Sequence, residues 1–216
     1  MSPKVADPAM RTALIEGAAR LIAEEGREAL TLRRLAAEVG ASTMAIYTHF
    51  GGMEQLRLEV RREAFTRLAH HLGGVAVTDD PVADLIVLGW AYHVNATTNP
   101  ALYRVMFMEP VHDGLPADRI DNSTFQMLVD GVVRCLDAGR FRPAEPLAVA
   151  NQLWAASHGI AALQLGGMLA PDEAIDGLEA IGVNLMAGFG DERERLAASF
   201  ATAGRRMSLR RPSPSS

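Results

Sequence analysis

The sequence predicts an all-α protein with a small three-helix head followed by a larger helical body. Three observations carry that prediction. Apolar residues recur at helical spacing along most of the chain, and no segment shows the period-two alternation of a strand. Prolines stand where helices begin, at Pro8, Pro81, Pro100, Pro146 and Pro171. The missing amide of proline costs nothing in a first helical turn. Residues 31–50 read as helix, glycine turn, helix.

Met1 to Ala6 reads as a disordered arm. Asp7-Pro8 then opens the first helix, with Asp7 as N-cap and Pro8 at the first helical position. Leu14, Ala18, Leu21 and Ile22 form its inward stripe, and Gly26 ends it. Thr31 caps the second helix, where Leu32, Leu35, Ala36 and Val39 share a face. Gly40 stands where the chain must leave that helix, a position that favours positive φ. Ser42 caps the third helix, and Ile46 and Phe50 point inward. Thr43, Met44, Ala45, Tyr47, Thr48 and His49 are left facing outward. That surface is short, rich in hydroxyls and free of bulky branched side chains, so it can enter a DNA major groove.

Gly51-Gly52 breaks the chain, and a connecting helix over 53–72 follows with Leu56, Val60, Ala64 and Leu68 inward. Residues 73–80 read as a linker. Helices are expected over 81–98, 101–108, 117–138, 146–168, 171–189 and 191–207, with a loop at 109–116. Asn99-Pro100 forces a restart, because the residue before a proline is pushed out of the helical region. Residues 208–216, ending Arg-Arg-Pro-Ser-Pro-Ser-Ser, read as a disordered tail. The resulting domain division is 1–52, a connecting helix 53–72, and a body over 73–207.

The run from Arg11 to Leu56 resembles the DNA-binding domain of the TetR family of bacterial transcription regulators. It carries Thr31-Leu-Arg-Arg-Leu-Ala-Ala-Glu-Val-Gly40, Ala45-Ile-Tyr-Thr-His-Phe50 and Gly52-Met-Glu-Gln-Leu56 in the family's order. Residues 99–107 and Trp154-Ala-Ala-Ser-His-Gly159 resemble the C-terminal domain of the branch named for its Trp, His and Gly. The resemblance implies a helix-turn-helix head on an effector-binding, dimerising helical body. It places Thr31, Arg33, Arg34, Ser42, Thr43, Met44, Ala45, Tyr47, Thr48 and His49 at the DNA. Arg33 would reach a base or phosphate, Thr31, Tyr47 and His49 would reach phosphates, and Thr43, Met44, Ala45 and Thr48 would read bases. The chain departs from the family at Met53, where a phosphate-contacting Lys is usual.

Composition agrees with a regulator only after the chain is divided. The net charge is −5. Residues 1–72 hold ten Lys/Arg against nine Asp/Glu, net +1, and the remainder carries net −6. The acidic excess therefore lies outside the head, and local distribution sets the footprint on phosphate. Lys4, Arg11, Arg33 and Arg34 can make one positive face. Cys135 is the single cysteine, so an intrachain disulfide is impossible. No apolar run is long and clean enough to span a bilayer; the most apolar stretch, 153–169, is interrupted by Ser157, His158, Gly159, Gln164, Gly166 and Gly167. With no signal-peptide layout at the N-terminus, a cytoplasmic location without membrane partners is expected.

Enzyme chemistry finds no footing. The chain has no Gly-rich phosphate loop, no Cys-x-x-Cys and no Gly-x-Ser-x-Gly. His70 and His71 are adjacent and point to different sides of a helix, so no metal site is expected, and no cofactor. In the body, Trp90, His93, Tyr103, Phe107, Phe125, Trp154 and His158 are candidates to line an effector cavity, since aromatics adapt to varied apolar shapes. Plain core packing is the competing reading for each. The expected function is a homodimeric, sequence-specific regulator, a repressor released from an inverted-repeat double-stranded DNA operator by a small-molecule effector. A ligand-responsive activator and a helical protein-binding module are the alternatives. Helices 146–168 and 171–189 would pair with their symmetry mates, their small residues Ala155, Ala156, Gly159, Ala162, Gly166 and Gly182 allowing close approach.

Overall fold

A computed structural model describes residues 7–107 and 123–208. The expected arm at 1–6, the loop at 109–116, the start of the 117–138 helix and all but the first residue of the tail lie outside them. Every described secondary-structure element is helical: α1 (Pro8–Glu25), a 3-10 turn (Arg27–Ala29), α2 (Leu32–Glu38), α3 (Thr43–Phe50), α4 (Met53–Gly73), α5 (Pro81–Thr98), α6 (Pro100–Phe107), α7 (Ser123–Asp137), α8 (Pro146–Leu165), α9 (Pro171–Phe189) and α10 (Arg193–Ser208). No helix is long and apolar enough to cross a membrane among the described residues.

The chain packs as two units. The first comprises residues up to Arg67 together with the segment from Asn99 that carries α6; the second holds 68–98 and α7 to α10. The expected boundary at residue 73 is therefore crossed by α6, which packs on α1. Arg67 ties these parts. Its Nη2 donates to Glu16 at 2.9 Å, its Nε to Glu63 at 2.9 Å, and its Nη1 to the Asn99 side chain at 3.1 Å, just before α6. Hydrogen bonds to both carboxylates raise the Arg67 guanidinium above its usual range, outweighing burial, the largest single influence and an opposing one.

The core of the first unit follows the sequence stripes. Leu14, Ala18, Leu35, Ile46, Leu56 and Val60 are fully buried. Gly17 matters for the approach of α1 to α2: a Cβ there would stand 2.6 Å from Cγ1 of Val39.

The second unit is organised around buried charge. Arg140, 6% exposed, donates through Nε and Nη2 to the two oxygens of Asp191, each at 2.7 Å. It also donates to Ser199 at 3.0 Å and to Asp80 at 3.1 Å. A second cluster centres on buried Asp84. It accepts from the Thr78 amide and hydroxyl at 2.8 Å each, from Arg134 at 2.7 Å and from Arg206 at 2.6 Å. Arg134 and Arg206 also donate to the carbonyls of Thr78 and Ala76. Burial pushes the Asp84 carboxyl up, but these hydrogen bonds outweigh it and hold the group below the usual carboxylate range.

Element ends differ from expectation at a few places. The 146–168 helix stops at Leu165, where Gly166 and Gly167 turn the chain. The last helix begins at Arg193 rather than 191 and takes in Ser208, which had been placed in the tail. Cys135 is buried, and burial pushes its thiol up to about 12, which leaves it chemically quiet.

Candidate nucleic-acid interface

Capping fixes the hairpin. The Thr31 hydroxyl accepts from the Arg34 amide at 3.3 Å, and the Ser42 hydroxyl from the Ala45 amide at 3.2 Å. Gly40 at φ +66° makes the turn between α2 and α3. Ile46, fully buried, and Phe50, 5% exposed, anchor α3 from beneath. Its opposite face is open: Thr43, Met44, Tyr47 and Thr48 are exposed, and Ala45 and His49 half-buried. Met44 is 67% and Tyr47 48% exposed, values at odds with core roles for either.

The two hydroxyl caps also sit on this surface, both exposed. A hydroxyl that accepts from a helix amide still has its own proton to donate to a phosphate. The Thr48 hydroxyl donates back to the Met44 carbonyl at 2.9 Å, so its outward contribution is mainly its methyl group and a lone pair.

The structure separates the two arginines of α2. Arg34 is held by Glu25 at 2.5 Å, both exposed, so a phosphate would have to displace that carboxylate. Arg33 is exposed and has no ion pair among the described residues. Arg11 is engaged by Glu59 at 2.5 Å and lies 5.7 Å above the Phe50 ring. Sequence reasoning missed these carboxylate partners. Glu25 stands nine residues before Arg34, a separation that no helical periodicity flags.

The body residues do not form one set. Tyr103 and Phe107 belong to α6, in the first unit, where their rings lie 5.1 Å apart and Phe65 stands 6.3 Å from Phe107. Trp90, His93, Phe125, Trp154 and His158 lie in the second. There the Tyr92 hydroxyl meets Nδ1 of His158 at 3.1 Å, Trp154 is 5.5 Å from His158, and Phe125 is 6.1 Å from Trp154. Trp90 stacks on His93 at 6.1 Å, and His93 is 4% exposed. Among the described residues, Nδ1 of His93 and Oε1 of Gln164 are buried without a partner in good hydrogen-bond geometry. Sequence reasoning did not assign Tyr92 a site; its contact with His158 lies 66 residues away along the chain.

Two family models match this chain. One, described as bacterial regulatory proteins, tetR family, covers residues 14–60, and the other, described as Tetracyclin repressor-like, C-terminal domain, covers residues 85–184. The chain belongs to the TetR family. It is thus a helix-turn-helix DNA-binding transcriptional regulator, and the family is one of regulators rather than enzymes. An uncharacterized HTH-type transcriptional regulator of Mycobacterium tuberculosis is 25% identical over 174 residues, 76% of this chain and 75% of that protein. The HTH-type transcriptional repressor AcnR of Corynebacterium efficiens is 46% identical over 59 residues, 27% of this chain and 31% of that protein. Among solved structures, the TetR family regulator PfmR from Thermus thermophilus superposes with a TM-score of 0.68 at 20% identity, over 81% of this chain and 97% of that one.

Histidines should give this TetR-family chain a pH-dependent stability. Burial holds His93 and His158 below the ordinary imidazole range, with Gln164 opposing the effect at His93. Burial also lowers His71, with its neighbour His70 adding to the effect. A depressed folded-state value means the unfolded chain binds protons first. The contribution is whole above the unfolded value near 6.5 and is lost as pH falls through the folded value. Urea midpoints should fall from pH 7 to pH 5.5, and His93→Gln should flatten the fall. An unchanged midpoint across that range would contradict the assignment.

Proposed function

We propose that this regulator is a homodimeric repressor that holds an inverted-repeat operator through α2 and α3 and releases it when a small molecule binds the body. Residues 1–52 act as the DNA-reading domain, 53–72 as the connecting helix and 73–207 as the effector and dimerisation domain, with α6 packing on α1. The observation that carries the reading is the open face of α3 beside Arg33, which is exposed and has no ion pair among the described residues. A methionine 67% exposed gains nothing from water, whereas a thymine methyl in the groove can cover it. Repression is supported by AcnR, a repressor 46% identical to this chain over 59 residues.

Dimerisation is supported by α8 and α9. Across their length only Val149, Ala150, Leu153, Ala161, Ala174 and Met186 are buried, while Leu147 and Leu163 are 50% and 39% exposed. Pairing two copies through this surface makes an isologous interface with a twofold axis. Two half-sites would then lie about 34–36 Å apart, one helical turn. We assign the effector site to Trp90, His93, Phe125, Trp154 and His158, with Tyr92 at hydrogen-bond distance from His158. A ligand favouring a DNA-incompetent form weakens DNA binding by the same factor by which DNA weakens ligand binding, usefully about 1–3 kcal/mol.

The test is a titration of the purified protein against duplex from its own upstream region, at two salt concentrations, beside a scrambled duplex. Tight binding to the native duplex with two chains per site is expected. Equal, weak binding to both duplexes, repeated across a genomic pool of fragments, would sink the reading. Met53→Lys supplies a second check. Met53 opens α4, so the lysine adds a cation near α3 at a small cost to the helix dipole. The salt slope should steepen by roughly one per chain, with tighter binding at low salt. No gain at low salt would show that phosphate does not pass that point.

A further inference from the structure

The last turn of α10 is fixed beside a half-open cleft. Arg206 donates to Asp84 at 2.6 Å and to the Ala76 carbonyl at 2.7 Å. Met207 packs with Val75 and Ile86 against Ala83, Val87 and Ala203. Asp84, Val75 and Ala76 are at the same time walls of the cleft, which measures about 260 Å³ and lies wholly within the second unit. Leu72, Leu85, Leu88 and Met127 complete its apolar side. Val77 at the rim is 76% exposed, more than any other large apolar side chain among the described residues. Apolar surface facing water is unfavourable until something covers it.

We propose that the chain straps this cleft with its own residues 209–212, Leu209 against the apolar side and Arg210 and Arg211 against an acidic rim. Reach permits it. α10 ends at Ser208, and three residues span about 10 Å when extended. Pro212 disfavours helix at Arg211, so the path of α10 must end within that span. Residue order also fits. Leu209-Arg-Arg-Pro212 offers one apolar side chain and then two cations, with no acid up to Ser216. Charge agrees. Arg134 and Arg206 are both spent on Asp84, whereas Asp79 and Asp130 are exposed and have no ion pair among the described residues. The Gln126 amide takes Oδ1 of Asp130 at 2.8 Å and leaves Oδ2 to a guanidinium. Little intrinsic affinity is needed, because a short tether holds such a segment at millimolar effective concentration. The strap would tie the end of the chain to Leu72, in the last turn of α4.

The test puts a carbon-13 methyl on each side of the contact in the full chain. Leu209→Met, a swap of similar volume, labels the strap, and Met127, assigned with Met127→Leu, labels the cleft. A nuclear Overhauser cross-peak between the two methyls is expected, and Leu209→Asp should shift the Met127 resonance. Arg210→Glu with Arg211→Glu should weaken the cross-peak by roughly threefold or more, as should Asp130→Lys. No cross-peak would overturn the proposal, and so would an unmoved Met127 resonance in Leu209→Asp. Full cross-peaks in both charge variants would overturn the role of the rim. A chain carrying Leu209→Met and Met127→Leu, co-expressed with the unchanged chain, tests the other occupant. A cross-peak there would hand the cleft to a second copy and overturn the strap within one chain. Neither DNA nor effector enters the measurement, so its failure is separate from failure of the repressor reading.

Discussion

Arg140→Ala should lower the unfolding free energy by about 3–5 kcal/mol, the range for removing one partner of a buried ion pair. The reason is what it would leave behind. Asp191 has a side chain with no exposure and receives both of its charge-assisted bonds from Arg140. Ser199 donates to Asp80 as well as accepting from Arg140, so the loss spreads from the α7–α8 connection to α10. Urea denaturation followed by circular dichroism measures the loss, and Arg140→Lys should recover only part of it, since an ammonium cannot make the paired contact. A loss under 1 kcal/mol would mean that water replaces the guanidinium. The double variant Arg140→Leu with Asp191→Leu should fare better than Arg140→Ala, because the fully buried carboxylate is removed with its cation and Asp80, 30% exposed, still accepts from Ser199.

Met44→Asp should leave the fold intact and cut operator affinity at least 100-fold. An exposed substitution away from caps and core changes stability by about 0.5 kcal/mol or less. At the DNA it removes an apolar contact and sets a carboxylate among phosphates and base acceptors. A base contact is worth about 1–3 kcal/mol, and a dimer loses two of them. Fluorescence anisotropy with labelled operator measures the change, with thermal unfolding as the control. Affinity within threefold of the original would place α3 outside the groove. Arg33→Ala should instead reduce affinity for all sequences more evenly and flatten the salt slope.

Local rules carried the head. Asp7, Thr31 and Ser42 cap the helices where a short polar side chain precedes an apolar stripe, and each cap is observed. The Leu56, Val60, Ala64, Leu68 stripe of α4 is buried as its spacing requires. Contacts remote in sequence were another matter. Asp84 meets Arg206 across 122 residues and Asp80 meets Ser199 across 119, and nothing in either neighbourhood marks the pairing. The same holds for the candidate effector residues. Membership of the 73–207 body grouped Tyr103 and Phe107 with Trp90 and His93, but α6, which starts at Pro100, belongs to the other unit. The open face of α3 was legible because it is local; that Arg33 alone of the two has no ion pair among the described residues was not, because Glu25 answers Arg34 from a different helix.

Because α6 completes the packing around α1, the first unit is finished late in synthesis. The ribosome must make the whole of α5 before α6 can reach α1. At about 5–20 residues per second, the interval between the end of α3 and the end of α6 lasts roughly 3–11 s. Over that interval α1 carries an uncovered apolar side, a surface open to chaperones until the chain's own α6 covers it.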